Sequence, residues 1–379
     1  MDVNIILYVA AVFISAAVGM FLIPQILRLC KKKKLYDLPD ERKVHSNAIP
    51  RLGGVSFVPA LIISVGCLVG FLDLDILNLQ TDTWAVLLLC GLIVMYLTGL
   101  ADDLVNVSAG VKFIIQIICG IAFPLSGLLI NNLYGFCGIY ELAPWISWPL
   151  TIFVAVFTMN AVNLIDGIDG LAGGLSLLAA LIFGVLFILV GFPVYALFSF
   201  ALAGALLAFL RFNLWGDIEK NTKIFMGDTG SLTLGYILTF LCIRFAMEDP
   251  TVIPYRRNAL LVAFTIMAVP ALDVLRIVLL RLRKGKPLFK PDKNHIHHKF
   301  MHAGYTARTA LYLIVLLALF FCFLNVGLMY VGLVYFKVSS SLIVCVDVLC
   351  WIALHLYLDR RISIVAGGKC KIEERHRVD

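Results

Sequence analysis

The chain has 379 residues, 61% hydrophobic and 15% charged, with a formal net charge of +7 and a mean hydropathy of +0.97. Soluble domains carry about 45–50% apolar and about 25% charged residues, so the composition excludes a single soluble core and points to an integral membrane protein. No RNA- or DNA-binding motif accompanies the positive charge, and nucleic acid is not an expected partner.

A bilayer core takes about 20 apolar residues per helix. On that length an all-α membrane fold of eleven spans is predicted, at about 4–29, 52–72, 83–100, 111–130, 145–164, 171–190, 193–211, 229–247, 258–280, 309–329 and 338–358. The first run is too long for a signal-peptide core and has no basic stretch before it, so it reads as a retained span. The ten cysteines are scattered, mostly in apolar runs, and none form a CxxC pair. Neither a disulfide framework nor a zinc site is expected.

Alternating the loops from the N-terminus puts all but four of the 31 Lys and Arg on one side. The exceptions are Arg244, Arg256, Arg257 and Lys337. Basic short loops face the cytoplasm. The N-terminus is therefore expected outside and the C-terminus inside. One polytopic domain is expected over residues 1–360, with cytoplasmic loops at 30–51, 101–110, 165–170, 212–228 and 281–308. Residues 361–379 form a basic cytoplasmic tail. One missed or invented helix would move every later basic loop to the other face, so the number of spans should be odd.

Five polar segments fall on this one face. They are RKVHSNAIPRLGG (Arg42 to Gly54), the pair Asp102-Asp103, NLIDGIDGLAGG (Asn163 to Gly174), FMGDTGSL (Phe225 to Leu232) and HIHH (His295 to His298). Asp102-Asp103 suits a helix end in water. Yet adjacent carboxylates repel, and one is pushed toward protonation unless a cation is near. A divalent metal or Lys112 would relieve this. NLIDGIDG fits a solvated loop, close backbone approach to phosphate or tight helix packing; it lacks the spacing of an EF-hand. FMGDTGSL lacks the lysine of a Walker A loop. There Asp228 suits a helix N-cap or a hard oxygen ligand for Mg²⁺. HIHH has no further Cys or His near enough to complete a zinc site, and reads as part of an anion site. Asp273 lies inside a span, where an acid is costly and functional by default, with Arg276 three residues on as a partner. Together, acids for a divalent cation, cations and histidines for phosphates, and a membrane wall are the parts that phosphoryl transfer needs.

The motifs HSNAIPRLGG, GLADD, NLIDGIDGLAGG, FMGDTGSL and HIHH, in this order between about Lys34 and Gly304, resemble the polyprenyl-phosphate N-acetylhexosamine-1-phosphate transferases (glycosyltransferase family 4). The branch most like it uses undecaprenyl phosphate and GlcNAc-1-phosphate and starts cell-surface glycans such as the lipopolysaccharide O-antigen. The resemblance implies that a polyprenyl phosphate attacks the β-phosphorus of a UDP-N-acetylhexosamine and UMP leaves. It implies catalytic roles for Asp102, Asp103, Asp166 and Asp169. It implies phosphate or substrate binding for Arg51, Lys112, Asn163, His295, His297 and His298. It implies Mg²⁺, with Mn²⁺ as a substitute, on Asp228 and Asn163. The enzyme would sit in the bacterial inner membrane with its site on the cytoplasmic face. Self-association as a homodimer is left open.

The phospho-MurNAc-pentapeptide branch carries three consecutive histidines, where this chain has His295-Ile296-His297-His298-Lys299. That argues against the peptidoglycan precursor as donor, while other UDP-amino sugars stay open. An ion- or proton-coupled transporter would place its acids near the midplane between inverted repeats. Here they gather at one face and no repeat is seen.

Overall fold

The computed structural model describes residues 3–36, 48–71, 83–249, 256–287, 294–334 and 339–375. The expected turn near Tyr335–Lys337, the stretch Arg42–Asn47, and Lys290, Lys293 and Arg377 lie outside the described residues.

The helices are α1 (Val3–Lys33), α2 (Phe57–Phe71), α3 (Thr83–Val105), α4 (Ala109–Leu125), α5 (Pro144–Ile165), α6 (Leu171–Leu189), α7 (Pro193–Trp215) and α8 (Gly227–Ala246). They continue as α9 (Ala259–Ile266), α10 (Ala268–Arg283), α11 (Ile296–His302), α12 (Ala307–Val334) and α13 (Ser340–Arg375). A 3₁₀ turn, Gly53–Ser56, precedes α2.

Among the described residues, nine helices are long and apolar enough to cross a membrane. Each matches an expected span. The other two expectations look different. The run at 111–130 is a helix of only 17 residues that ends at Leu125. The run at 258–280 is a bent pair, α9 and α10, folded by 77°. Pro270 stands in the first turn of α10. It has no N–H to offer the end of α9, so a continuous helix would lose a bond there. Two further differences concern regular structure. A small antiparallel hairpin, β1 (Asn132–Phe136) and β2 (Ile139–Glu141), interrupts the all-helical pattern. Its turn needs positive φ at Gly135, Cys137 and Gly138, a signal lost among apolar neighbours. The last helix also runs on through the expected tail to Arg375.

At the centre is α8, whose span is 94% buried, packed between α3 and α5. Its small and hydroxylated residues explain this. A Cβ on Gly235 would lie 2.7 Å from Met159 Cα, and one on Gly99 would lie 2.5 Å from Thr229 Cα, so three backbones pack closely. The hydroxyls of Thr233 and Thr239 donate to Thr229 and Gly235 carbonyls at 2.5 and 2.7 Å. Polar groups are thus satisfied within the helix, as an apolar surrounding demands.

Candidate active site

The N-terminus of α8 is the hub on which four other segments converge. The first is the Arg51 loop, joined to it backbone to backbone. The Phe225 amide donates to Pro50 O at 2.7 Å, and the amides of Gly53 and Gly54 donate to Phe225 O and Met226 O at 2.9 Å. A Cβ on Gly54 would lie 2.1 Å from Gly230 Cα, so the paired glycines are what permits this contact. Arg51 then reaches the end of α3. Its guanidinium donates to the Asp103 carbonyl at 2.6 and 3.0 Å and to Asn106 Oδ1 at 3.2 Å.

Asp103 is enclosed, with a side-chain exposure of 0%. Its Oδ1 accepts from the Asp228 amide at 2.9 Å. Its Oδ2 accepts from the Thr229 amide at 2.9 Å and the Thr229 hydroxyl at 2.6 Å. An acid from α3 therefore caps α8, satisfying amides that a helix start leaves open. The capping is by Asp103 on Asp228, not by Asp228 itself. Asp102 accepts from the Val107 amide at 2.6 Å and from Lys112 Nζ at 2.8 Å. Lys112 also lies 3.7 Å from Asp228 Oδ1. Lys112 on α4 is thus the cation between the acids of two helices. Asn163, near the end of α5, donates to Asp228 Oδ1 at 2.7 Å and Ser231 Oγ at 2.8 Å.

The NLIDGIDG loop joins α5 to α6. Asp169 is tied down by Lys223 Nζ at 2.7 Å, and Asn213 braces both. Asn213 Oδ1 accepts from the Gly170 amide at 2.7 Å, and its Nδ2 donates to Ile224 O at 2.8 Å. Gly170 has φ +76 and starts α6, a conformation that suits glycine. Asp166 is different. No described residue gives its carboxyl a hydrogen bond or ion pair. Desolvation, and then the nearby carboxylates of Asp228, Asp169 and Asp103, push it up to about 7.

The histidines arrive on α11. The His297 ring lies over Gly167: a Cβ there would sit 2.1 Å from His297 Nε2. His297 is buried and its Nδ1 has no partner. Burial, with His298 and His295 beside it, lowers its pKa well below the usual value. The rings of His297 and His298 are 4.3 Å apart. The His295 ring stacks parallel to that of His297 at 6.0 Å and is bound by Asp273. Its Nδ1 lies 2.7 Å from Asp273 Oδ2, while Asp273 Oδ1 accepts from the Ile296 amide at 2.9 Å. The costly acid of the ninth expected span therefore orients a histidine and starts α11. Arg276 stands 3.6 Å from it.

The structure brings Asp102, Asp103, Lys112, Asn163 and Asp228 into one bonded group and sets Arg51 behind it. Asp166, in the loop between α5 and α6, lies within reach of the charges of Asp228 and Asp103; His297 covers that loop at Gly167 with His298 beside it, and His295 and Asp169 are held by partners of their own. No three His, Cys, Asp or Glu among the described residues form a ready metal cage. No motif marks Asn213 or Lys223, and Thr229 and Ser231 enter the pattern only as members of FMGDTGSL. One signal was there: Asn213 is an amide inside an apolar span, and such a residue asks for a partner.

Comparison with known proteins places the chain. The description "Glycosyl transferase family 4" matches residues 84–246. The chain is 32% identical to a probable undecaprenyl-phosphate N-acetylglucosaminyl 1-phosphate transferase of Bacillus subtilis (strain 168), over 85% of each chain. It is 32% identical to an undecaprenyl-phosphate alpha-N-acetylglucosaminyl 1-phosphate transferase of Escherichia coli (strain K12), over 77% of this chain and 76% of that one. A protein of that name from Yersinia pestis is 34% identical over 75% and 74%. With such identity along most of its length, this multi-pass membrane protein belongs to glycosyl transferase family 4.

Proposed function

We propose that the protein transfers GlcNAc-1-phosphate from UDP-GlcNAc to undecaprenyl phosphate, releasing UMP, at the cytoplasmic face of a bacterial inner membrane. The names of the similar proteins support the donor and the acceptor. The observation that carries the chemistry is the group Asp102–Lys112–Asp228–Asn163, faced by the unpartnered carboxyl of Asp166.

The acceptor phosphate is mostly ionised near neutral pH, since the second pKa of a phosphate monoester is about 6. It needs little help from a base. Lys112 supplies positive charge where it approaches, and Asp102 holds Lys112 in place. The acceptor oxygen bonds to the β-phosphorus, and the bond from that phosphorus to the bridging oxygen breaks, so both electrons leave with UMP. His297 and His298 lie beside the donor loop and suit its diphosphate oxygens. Catalysis of this kind is positioning plus charge neutralisation.

The residues fit a divalent cation. Among the described residues, Asp102, Asp103, Asp166 and Asp228 gather against Lys112 and Arg51. The Asn163 amide nitrogen is spent on Asp228 and Ser231, which leaves its carbonyl oxygen as a ligand beside Asp228. Mg²⁺, or Mn²⁺ in its place, would be held there and would neutralise phosphate charge. Mg²⁺ takes few protein carboxylates and fills its shell with water and phosphate oxygens, which suits so sparse a set.

We also infer eleven crossings, counting α4 and the bent α9–α10 pair, with the N-terminus outside. The distribution of Lys and Arg supports this. A thiol reagent should reach Cys370 only after the inner face is opened.

The function is tested with purified protein, undecaprenyl phosphate, Mg²⁺ and a panel of UDP-sugars, reading UMP release. Lipid-dependent UMP with UDP-GlcNAc is expected. Its absence with every UDP-N-acetyl sugar would sink the reading.

A further inference from the structure

The histidine helix α11 is seven residues long, too short to hold its place by itself. Asp273 secures its start. Its other side is secured by α13, which the chemistry above does not use. Lys299, next to His298, reaches α13 rather than the acids. Its Nζ lies 2.6 Å from Asp359 Oδ1 and 3.3 Å from His355 Nδ1, and its side chain is only 13% exposed. An ammonium only donates, so His355 accepts at Nδ1 and keeps its proton on Nε2. Near the next turn Arg361 donates from Nε to the Ala303 carbonyl at 3.0 Å. Ala303 is the C-cap of α11. The Arg361 guanidinium also covers the Tyr305 ring at 4.1 Å. α13 thus grips α11 at its middle through Asp359 and His355 and at its end through the long side chain of Arg361.

We propose that Lys299 and Asp359, backed by His355 and Arg361, are positioning residues through which α13 sets the stance of His297 and His298 over the donor loop, and so sets the affinity for the nucleotide-sugar diphosphate. This rests on the reading of those histidines as donor-phosphate groups. The competing view is an inert ion pair. Asp359 is 58% exposed, and such pairs are often worth little. Three contacts on so short a helix argue otherwise, because they add directed bonds to the apolar seat that Phe300 and Ala303 give its end.

The test compares variants of the full-length protein in lipid nanodiscs. Lys299→Met and Asp359→Asn should each raise KM for UDP-GlcNAc by about 3–5-fold, with kcat and the KM for undecaprenyl phosphate within about twofold. Lys299→Arg, which keeps the cation, should stay near wild type, and the reversed pair Lys299→Asp/Asp359→Lys should regain most of the loss. Hydrogen exchange over residues 294–304 should rise in Lys299→Met. His297→Gln separates the two layers. If it raises the donor KM while Lys299→Met and Asp359→Asn do not, the positioning role is overturned and the histidine reading stands. If none of the three moves KM, the histidine reading falls. Unchanged exchange in Lys299→Met overturns the positioning role by itself.

Discussion

The two acidic pairs of the site are built alike and used differently. At the end of α3, Asp103 is saturated by two amides and a hydroxyl of α8, while Asp102 faces Lys112. In the loop before α6, Asp169 is held by Lys223, while Asp166 takes no partner among the described residues and is pushed up to about 7. Each pair has one acid tied to a neighbouring helix or loop; the other is held by Lys112 in the first pair and has no described partner in the second. Two carboxylates a few residues apart therefore need not do the same work, and their partners tell which does which.

The largest expected effect is on the unpartnered acid. Asp166→Asn should lower kcat by about 10²–10³-fold, the scale of losing one well-placed charged or proton-handling group, without lowering thermal stability in metal-free buffer. A fall in Tm matching the loss of turnover would erase its contrast with Asp103. Next is Asp103→Asn. Its amide would turn donors toward the Thr229 amide and hydroxyl, at a cost of about 1–3 kcal/mol. Thermal unfolding in detergent should register the drop, and retention of the wild-type Tm would deny the capping role. Lys223→Met frees Asp169 and unpins the loop. A few-fold rise in the KM for UDP-GlcNAc is expected, with Tm almost constant; a loss of kcat alone would put Asp169 among the reacting groups.

The smallest effect is a pH dependence. Asp166 is raised from 3.8 to about 7 by burial and its acidic neighbours. Its contribution to stability in cation-free protein is full below about 3.8 and is lost as pH rises through about 7. Mg²⁺ should offset that loss, so it should raise Tm more at pH 8 than at pH 5.5. Asp166→Asn should shrink the difference, the remainder coming from Asp228, which burial and the neighbouring Asp102 also push up to about 7. Equal Mg²⁺ shifts at both pH values would detach Asp166 from the cation. His297 has the opposite sign. Its lowered pKa costs nothing above about 6.5 and destabilises the fold as pH falls below that value.

The broad plan was legible because lipid imposes length: nine of eleven expected runs became full-length helices. The polar segments were legible because an apolar chain has few reasons to hold acids, amides and glycines. What was hidden is whatever depends on pairing across the fold. Asp103 as the cap of α8 needs two segments 125 residues apart. Asn213 reads as one amide in an apolar helix until Gly170 and Ile224 surround it. The break before Pro270 was obscured because both halves are apolar, so hydropathy runs smoothly through Met267. The hairpin at Asn132–Glu141 was too short for any alternation to show.

The joining of Pro50–Gly54 to Phe225–Gly230 also bears on how the protein is made. A ribosome delivers the first partner long before the second, and the histidines later still. Until the segment near residue 300 emerges, no nascent chain holds all the parts. The early helices must therefore wait in the membrane with the Asp103 carboxyl and the Gly53 and Gly54 amides unengaged, and competence comes in one late step. A chain released before that step would be inserted yet inert, and cells are spared a half-formed transferase drawing on their lipid carrier.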